Sequence, residues 1–91
     1  MAYSVEVSED AAKELKKLDK GERERLVKFM LERLTALEDP RSIGEALKGE
    51  KLGELWRYRV GDYRIITRIE DTTVVILVLR IGHRREIYKK R

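Results

Sequence analysis

Four arginines lie close together in the segment LWRYRVGDYRIITRI, which covers residues 55–69. Its central Gly-Asp pair is a typical two-residue turn between two alternating runs, so the segment predicts a β-hairpin. With this turn Arg59 lies opposite Arg64, and Arg57 lies on the same face because side chains alternate along a strand. Opposed like charges cost up to about 1 kcal/mol, whereas a phosphate between two guanidinium groups would form charge-assisted hydrogen bonds. The pattern therefore predicts an anion-binding surface made by these three arginines.

A structural interpretation of the arginines is also open, since exposed strand arginines aid solubility and protect sheet edges from aggregation. We favour it for Arg68, which has Glu70 and Asp71 nearby as ion-pair partners. For the other three arginines we favour anion binding, because a stabilising surface avoids opposed like charges.

The C-terminal segment GHRREIYKKR adds further candidates. His83 is the one histidine of the chain, and a histidine exchanges protons near neutral pH, as a general base must. A single loop histidine is nevertheless more often solvated than functional, and a tail tyrosine such as Tyr88 can simply cover apolar surface. We expect Ile87 to anchor this tail across the sheet edge.

The positive charge of the chain is concentrated in its C-terminal third. Residues 1–56 carry 11 Lys and Arg against 13 Asp and Glu, a net charge of −2, whereas residues 57–91 carry 10 against 4, a net charge of +6. This asymmetry indicates a polyanionic partner on one side of the molecule.

The composition excludes several classes of protein. With 91 residues, 42% of them hydrophobic, the chain can form one core, so we expect a single domain over residues 1–91. It has no cysteine and one histidine, which leaves too few ligands for a structural metal, and we expect no cofactor. The start of the chain lacks the basic and apolar regions of a signal peptide, and no apolar run could span a bilayer. We therefore expect a cytoplasmic protein.

The elements that position these side chains follow from hydrophobic periodicity. Residues 3–7 alternate as a strand, and Ser8 and Asp19 are placed to cap two helices. Pro40 ends the second helix, and residues 39–53 form a connection long enough to suggest a partner-binding loop, although a plain solvated linker is equally compatible. Three alternating runs then form an antiparallel meander. The predicted apolar stripes of the two helices are Ala11, Ala12, Leu15 and Leu18, and Val27, Met30, Leu31, Leu34 and Leu37.

These elements predict an α+β fold in the order β-α-α-β-β-β, with a two-helix hairpin packed on one face of an antiparallel sheet. The face toward the helices is apolar, and the opposite face carries the cations. The predicted core face comprises Trp56, Tyr58, Val60, Tyr63, Ile65 and Ile69 from the hairpin, with Val74, Ile76 and Val78 from the last strand.

Three segments, LWRYRVGDYRII, VVILVLRIGHRREIY and MAYSVEVSEDAAKELKKL, resemble the RelE toxins of the RelE/ParE superfamily. The resemblance covers essentially the whole chain, and its hairpin and GHRREIY motifs are more specific than its helices. It implies the same element order. It also implies an endoribonuclease that cuts messenger RNA in the ribosomal A site and is held in check by a small RelB-like antitoxin.

The resemblance also implies which residues act. The catalytic positions of the family fall on Arg57, Arg59, Arg64, Arg84 and Tyr88, and the remaining candidates for substrate binding are His83, Arg85 and Arg68. The best-known members have lysine where this chain has the first two arginines. Because arginine stays charged in essentially any site, these two residues are better suited to phosphate clamping than to proton abstraction.

Two other functions remain open at the level of sequence. The ParE branch shares the fold and the antitoxin partner but inhibits DNA gyrase by binding, without the ribonuclease residues. The chain could also be a basic module that binds RNA or the ribosome without catalysis, with affinity that depends strongly on salt.

Overall fold

The computed structural model describes residues 3–47 and 55–86. The helical elements are α1 (Glu9–Lys16) and α2 (Lys20–Lys28), a π-helical extension of α2 (Phe29–Leu34) and a short 3-10 turn (Pro40–Ile43). The strands are β1 (Ser4–Val7), β2 (Glu45–Leu47), β3 (Leu55–Val60), β4 (Tyr63–Glu70) and β5 (Val75–His83). None of the helices in the described ranges is long and apolar enough to span a membrane.

The five strands form one sheet in the order β1-β5-β4-β3-β2. The predicted α+β class and the antiparallel meander of the last three strands are confirmed. Two details differ from the prediction: β1 pairs with β5 in parallel, which makes the sheet mixed, and β2 adds an edge strand. The strand β2 lies within the predicted loop over residues 39–53 and has only three residues, too few to show an alternating pattern. Residues 48–54 of that loop lie outside the described ranges.

Both predicted helix caps are confirmed. The side-chain oxygens of Ser8 and Asp19 accept hydrogen bonds from the backbone N–H groups of Ala11 and Glu22, each at 3.1 Å. These bonds satisfy N–H groups that have no partner within the helix.

The predicted apolar stripe of the second helix is wrong at Leu31, which is 57% exposed. The buried residues of α2 and its extension are Leu26, Met30 and Leu34. The π-helical turn changes the phase of the helix, because its hydrogen bonds join residues five apart. A fixed spacing of 3.6 residues per turn could not anticipate this shift.

The core lies between the helices and one face of the sheet. Tyr58, Ile65 and Ile69 are buried there as predicted, together with Ile76 and Val78 from β5. A bulge in β5 opposite Ile66 and Thr67 changes the register, which lets Ile81 also join the core. The predicted place of Val74 within the last strand is wrong, since this residue precedes β5 in a turn and has a φ of 57°.

Candidate functional site

The hairpin of β3 and β4 has the register that the sequence predicts. Arg59 pairs with Arg64, and Arg57 pairs with Ile66. Gly61 occupies the turn with a φ of +62°, a conformation that residues with a Cβ atom rarely adopt. Alternation along the two strands therefore places all three arginines on the face of the sheet that points away from the helices.

The arginines differ in how far they are open to solvent. The side chain of Arg59 is 60% exposed and that of Arg57 is 24% exposed. Arg64 is partly buried, and its guanidinium donates to the carbonyl oxygens of Gly61 and Tyr63 at 3.2 and 3.0 Å. Within the described ranges it contacts no carboxylate. Of these three arginines, Arg59 is therefore the most open to solvent.

One carboxylate, that of Glu45 on β2, connects two of these arginines. Glu45 pairs directly with Arg57 across the strands and accepts a hydrogen bond from its guanidinium. Its other oxygen lies 3.6 Å from a guanidinium nitrogen of Arg59. The hydrogen bond from Arg57 lowers the pKa of Glu45, and the charges of Arg57, Arg59 and, more weakly, Arg64 lower it further. Sequence reasoning missed Glu45 because it assigned this residue to a loop.

Arg84 lies beside the hairpin turn. Its backbone N–H donates to the carbonyl oxygen of Asp62 at 2.7 Å, and its Nε lies 3.7 Å from the Asp62 carboxylate. The residue after β5 thus lies against the turn that precedes Arg64. The predicted residues Ile87 and Tyr88 lie outside the described ranges.

The three remaining candidates, His83, Arg85 and Arg68, make contacts with residues other than these arginines. His83 pairs with Tyr63 and contacts its ring edge-on at 5.6 Å, so alternation places it on the face opposite to the arginines. Its Nδ1 accepts a hydrogen bond from the backbone N–H of Arg85 at 3.1 Å. Arg68 lies on the arginine face but pairs with Glu70 at 3.2 Å, in agreement with the structural interpretation.

A further arginine, Arg80, reaches the same face by register but is paired with a helix. It lies opposite Ile66 and donates to one oxygen of Glu14 through Nε and a terminal nitrogen at 2.9 and 2.7 Å. The other oxygen of Glu14 accepts from the backbone N–H of Ile81 at 2.6 Å. This ion pair joins α1 to the exposed edge of β5, which is a structural role.

The sequence and the fold both resemble known toxins. The profile of the family described as "ParE toxin of type II toxin-antitoxin system, parDE" matches residues 5–88. The chain is 31% identical over 90 residues to Toxin RelG of Mycobacterium tuberculosis, covering 99% of this chain and 100% of RelG. It is 34% identical over 92 residues to the mRNA interferase toxin RelE of Escherichia coli, covering 99% of this chain and 94% of RelE.

Among solved structures, a chain of the toxin-antitoxin complex RelBE2 from Mycobacterium tuberculosis superposes on this fold with a TM-score of 0.82. The two chains are 28% identical, and the match covers 91% of this chain and 99% of the other. The similarity therefore extends over most of the chain.

Proposed function

Because this chain belongs to the ParE toxin family of type II toxin-antitoxin systems and is a RelE-like toxin within it, we propose that it is an endoribonuclease that cleaves messenger RNA. In this proposal it acts in the ribosomal A site, needs no metal, and is inhibited by a small RelB-like antitoxin. The name of its relative RelE, an mRNA interferase, supports the activity, and the complex RelBE2 supports an antitoxin as partner.

The observation that carries the proposal is the direct opposition of Arg59 and Arg64, with Arg57 on the same face of the sheet. This arrangement costs stability in the free protein but suits a phosphodiester group, whose oxygens accept hydrogen bonds from several guanidinium groups. Such donors also stabilise the negative charge that grows on a phosphate as a nucleophile attacks it.

The reaction that fits these groups uses the RNA's own hydroxyl. The 2′-oxygen attacks the adjacent phosphorus, the bond from phosphorus to the 5′-oxygen breaks, and the products carry a 2′,3′-cyclic phosphate and a 5′-hydroxyl. In our assignment Arg59 and Arg64 bind the non-bridging oxygens, Arg57 braces the phosphate, and Arg84 stabilises the leaving oxygen. Tyr88 stacks on a base or assists proton transfer. DNA lacks the 2′-hydroxyl and is therefore not a substrate.

The reaction moves one proton off the 2′-hydroxyl and delivers one to the leaving oxygen. Arginine is unsuited to the first step because it stays charged, and His83 lies on the opposite face of the sheet. The lack of a well-placed base in this assignment is compatible with ribosome dependence. A ribosome that orients the RNA accurately would itself accelerate the reaction.

An Arg64→Ala variant tests the proposal. We expect it to cleave translated mRNA about a hundred-fold more slowly than the wild type, the usual loss for one donor to a developing oxyanion. Primer extension on mRNA in a translation extract measures this rate. The matched control is Lys13→Ala, which removes one positive charge from an exposed position on α1 and should cleave at the wild-type rate. Wild-type cleavage by Arg64→Ala would contradict the assignment.

A second candidate function, inhibition of DNA gyrase, is favoured by the match to the ParE family profile. It predicts that the purified chain blocks supercoiling by gyrase and leaves translated mRNA intact. A supercoiling assay run beside the primer extension distinguishes the two. A third outcome, RNA binding with strong salt dependence but no cleavage, would identify a binding module without catalysis.

A further inference from the structure

The carboxylate of Glu45 contacts two of the three arginines to which the proposed function assigns the substrate phosphate. It contacts Arg57 through a hydrogen bond and Arg59 at 3.6 Å, and the charge of Arg64 also lowers its pKa. Arg57 and Arg59 therefore both contact this one anion, and Arg64 acts on it only through its charge. A carboxylate and a phosphodiester both offer two oxygens to guanidinium groups, so Glu45 mimics the ligand within the free protein.

The position of Glu45 is set by a short edge strand. The strand β2 has three residues and pairs with β3. The side chain lies directly across from Arg57 and leans along β3 toward Arg59. This placement offsets the repulsion between the arginines while no RNA is bound.

The contact is also open enough to be exchanged. The side chain of Glu45 is 49% exposed and that of Arg59 is 60% exposed, and ion pairs at such positions are weak and screened by salt. A phosphodiester belongs to a longer RNA, whose other groups also contact the protein. It can therefore displace the carboxylate, which can turn to solvent.

We propose that Glu45 is a positioning residue that holds Arg57 and Arg59 in place of a substrate phosphate and is displaced when RNA binds. This inference rests on the proposed function of the arginine cluster. Glu45 then lowers the affinity for RNA and makes the toxin more dependent on the ribosome, which presents the RNA at high effective concentration.

The test compares Glu45→Gln with Glu24→Gln in the full-length protein. Glu24 lies on the exposed surface of α2, so the two variants change the net charge equally. The probe is a 2′-O-methyl RNA oligonucleotide, which has no free 2′-hydroxyl and is not cleaved, and affinity is measured by fluorescence anisotropy. We expect Glu45→Gln to bind about three- to ten-fold more tightly than Glu24→Gln, as the loss of two partly exposed ion pairs would predict.

Two further measurements separate displacement from a purely structural role. In an Arg59→Ala background, the effect of Glu45→Gln on affinity should become smaller, because one of the two contacts of Glu45 is then already absent. In the translation extract, Glu45→Gln should lower KM and leave kcat unchanged, since RNA has already replaced the carboxylate in the bound state.

The outcomes distinguish this inference from the function on which it rests. Equal affinity of Glu45→Gln and Glu24→Gln, or an unchanged effect in the Arg59→Ala background, overturns the inference even if Arg64→Ala abolishes cleavage. Wild-type cleavage by Arg64→Ala overturns the assignment of the cluster instead. An absence of RNA binding in every variant, the wild type included, overturns the inference, whereas the proposed function is judged by cleavage of translated mRNA.

Discussion

At the scale of single residues, the candidate site contains arginines that repel each other in the free protein, and neighbouring groups offset this repulsion. Arg59 and Arg64 face each other across two strands, which is unfavourable by itself. The carboxylate of Glu45 lies beside Arg59, and two backbone carbonyl oxygens accept hydrogen bonds from Arg64. The choice of arginine over lysine keeps the charge constant and provides a planar fork of donors. These residues are therefore suited to binding a phosphate and unsuited to carrying protons.

A second single residue, Tyr58, makes stability depend on alkaline pH. Its residue is 1% exposed and its hydroxyl donates to the carbonyl oxygen of Pro40 at 2.7 Å. Burial raises the pKa of Tyr58 to about 12, from about 10 in the unfolded chain. Because the folded state holds the proton more tightly, the stabilisation is complete below pH 10 and is lost as the pH rises toward 12.

The variant Tyr58→Phe tests this dependence. At pH 8 we expect it to be about 1 kcal/mol less stable than the wild type, because the hydrogen bond is lost. Between pH 10 and 12 the wild type should lose up to about 2 kcal/mol more than the variant. Urea unfolding at a series of pH values measures both. A constant difference at all pH values would show that Tyr58 does not titrate with folding.

At the scale of elements, the hairpin turn determines where the arginines point. Gly61 has a φ of +62°, and a Cβ atom there would lie 2.7 Å from the guanidinium of Arg25. The long side chain of Arg25 can move, so the backbone conformation is the larger obstacle. A change in this turn would alter the pairing of β3 with β4 and move the arginines relative to each other.

We expect Gly61→Ala to lower the free energy of unfolding by about 1 to 2 kcal/mol, the cost of a left-handed conformation for a residue with a Cβ atom. The control is Gly21→Ala in the first turn of α2, where a Cβ atom would meet nothing within 4 Å. This control should stabilise the protein by about 0.5 to 1 kcal/mol, since alanine favours helix. Thermal or urea unfolding of the two variants should therefore give shifts of opposite sign.

At the largest scale, the two faces of the sheet differ in composition and in what they contact. One face packs against the helices and forms the core, and the other presents the arginine cluster. Glu14 joins helix α1 to strand β5, because its two carboxylate oxygens accept hydrogen bonds from Arg80 and from the backbone N–H of Ile81. This contact also covers backbone groups of β5 beyond the end of β1, where an open edge would invite pairing with another chain.

We expect Glu14→Gln to destabilise the fold by about 1 kcal/mol, because the amide keeps an acceptor for Ile81 but loses the ion pair with the partly exposed Arg80. Differential scanning calorimetry measures the change. The control Glu24→Gln, which removes the same charge from an exposed helix position, should leave the melting temperature unchanged. A similar shift in both variants would indicate a general charge effect and not the contact with Arg80.

Features that depend on local rules were predictable from the order of the residues alone. The alternation in residues 55–69 and the two-residue turn set the pairing of Arg59 with Arg64, because a strand has a period of two and the turn length fixes the register. Ser8 and Asp19 were identifiable as caps for the same reason, since a cap acts within three residues of itself.

Contacts between distant parts of the chain became visible only once the packing of the elements was known. Glu45 reaches the arginines because β2 docks on the edge of β3, Arg80 is held by Glu14 from α1, and Leu31 is exposed because a π-helical turn changes the helix phase. Each of these depends on how elements pack against one another, where the gain from many distant contacts outweighs local preference. Hydrophobic periodicity reports local preference only, so it could not predict these distant contacts.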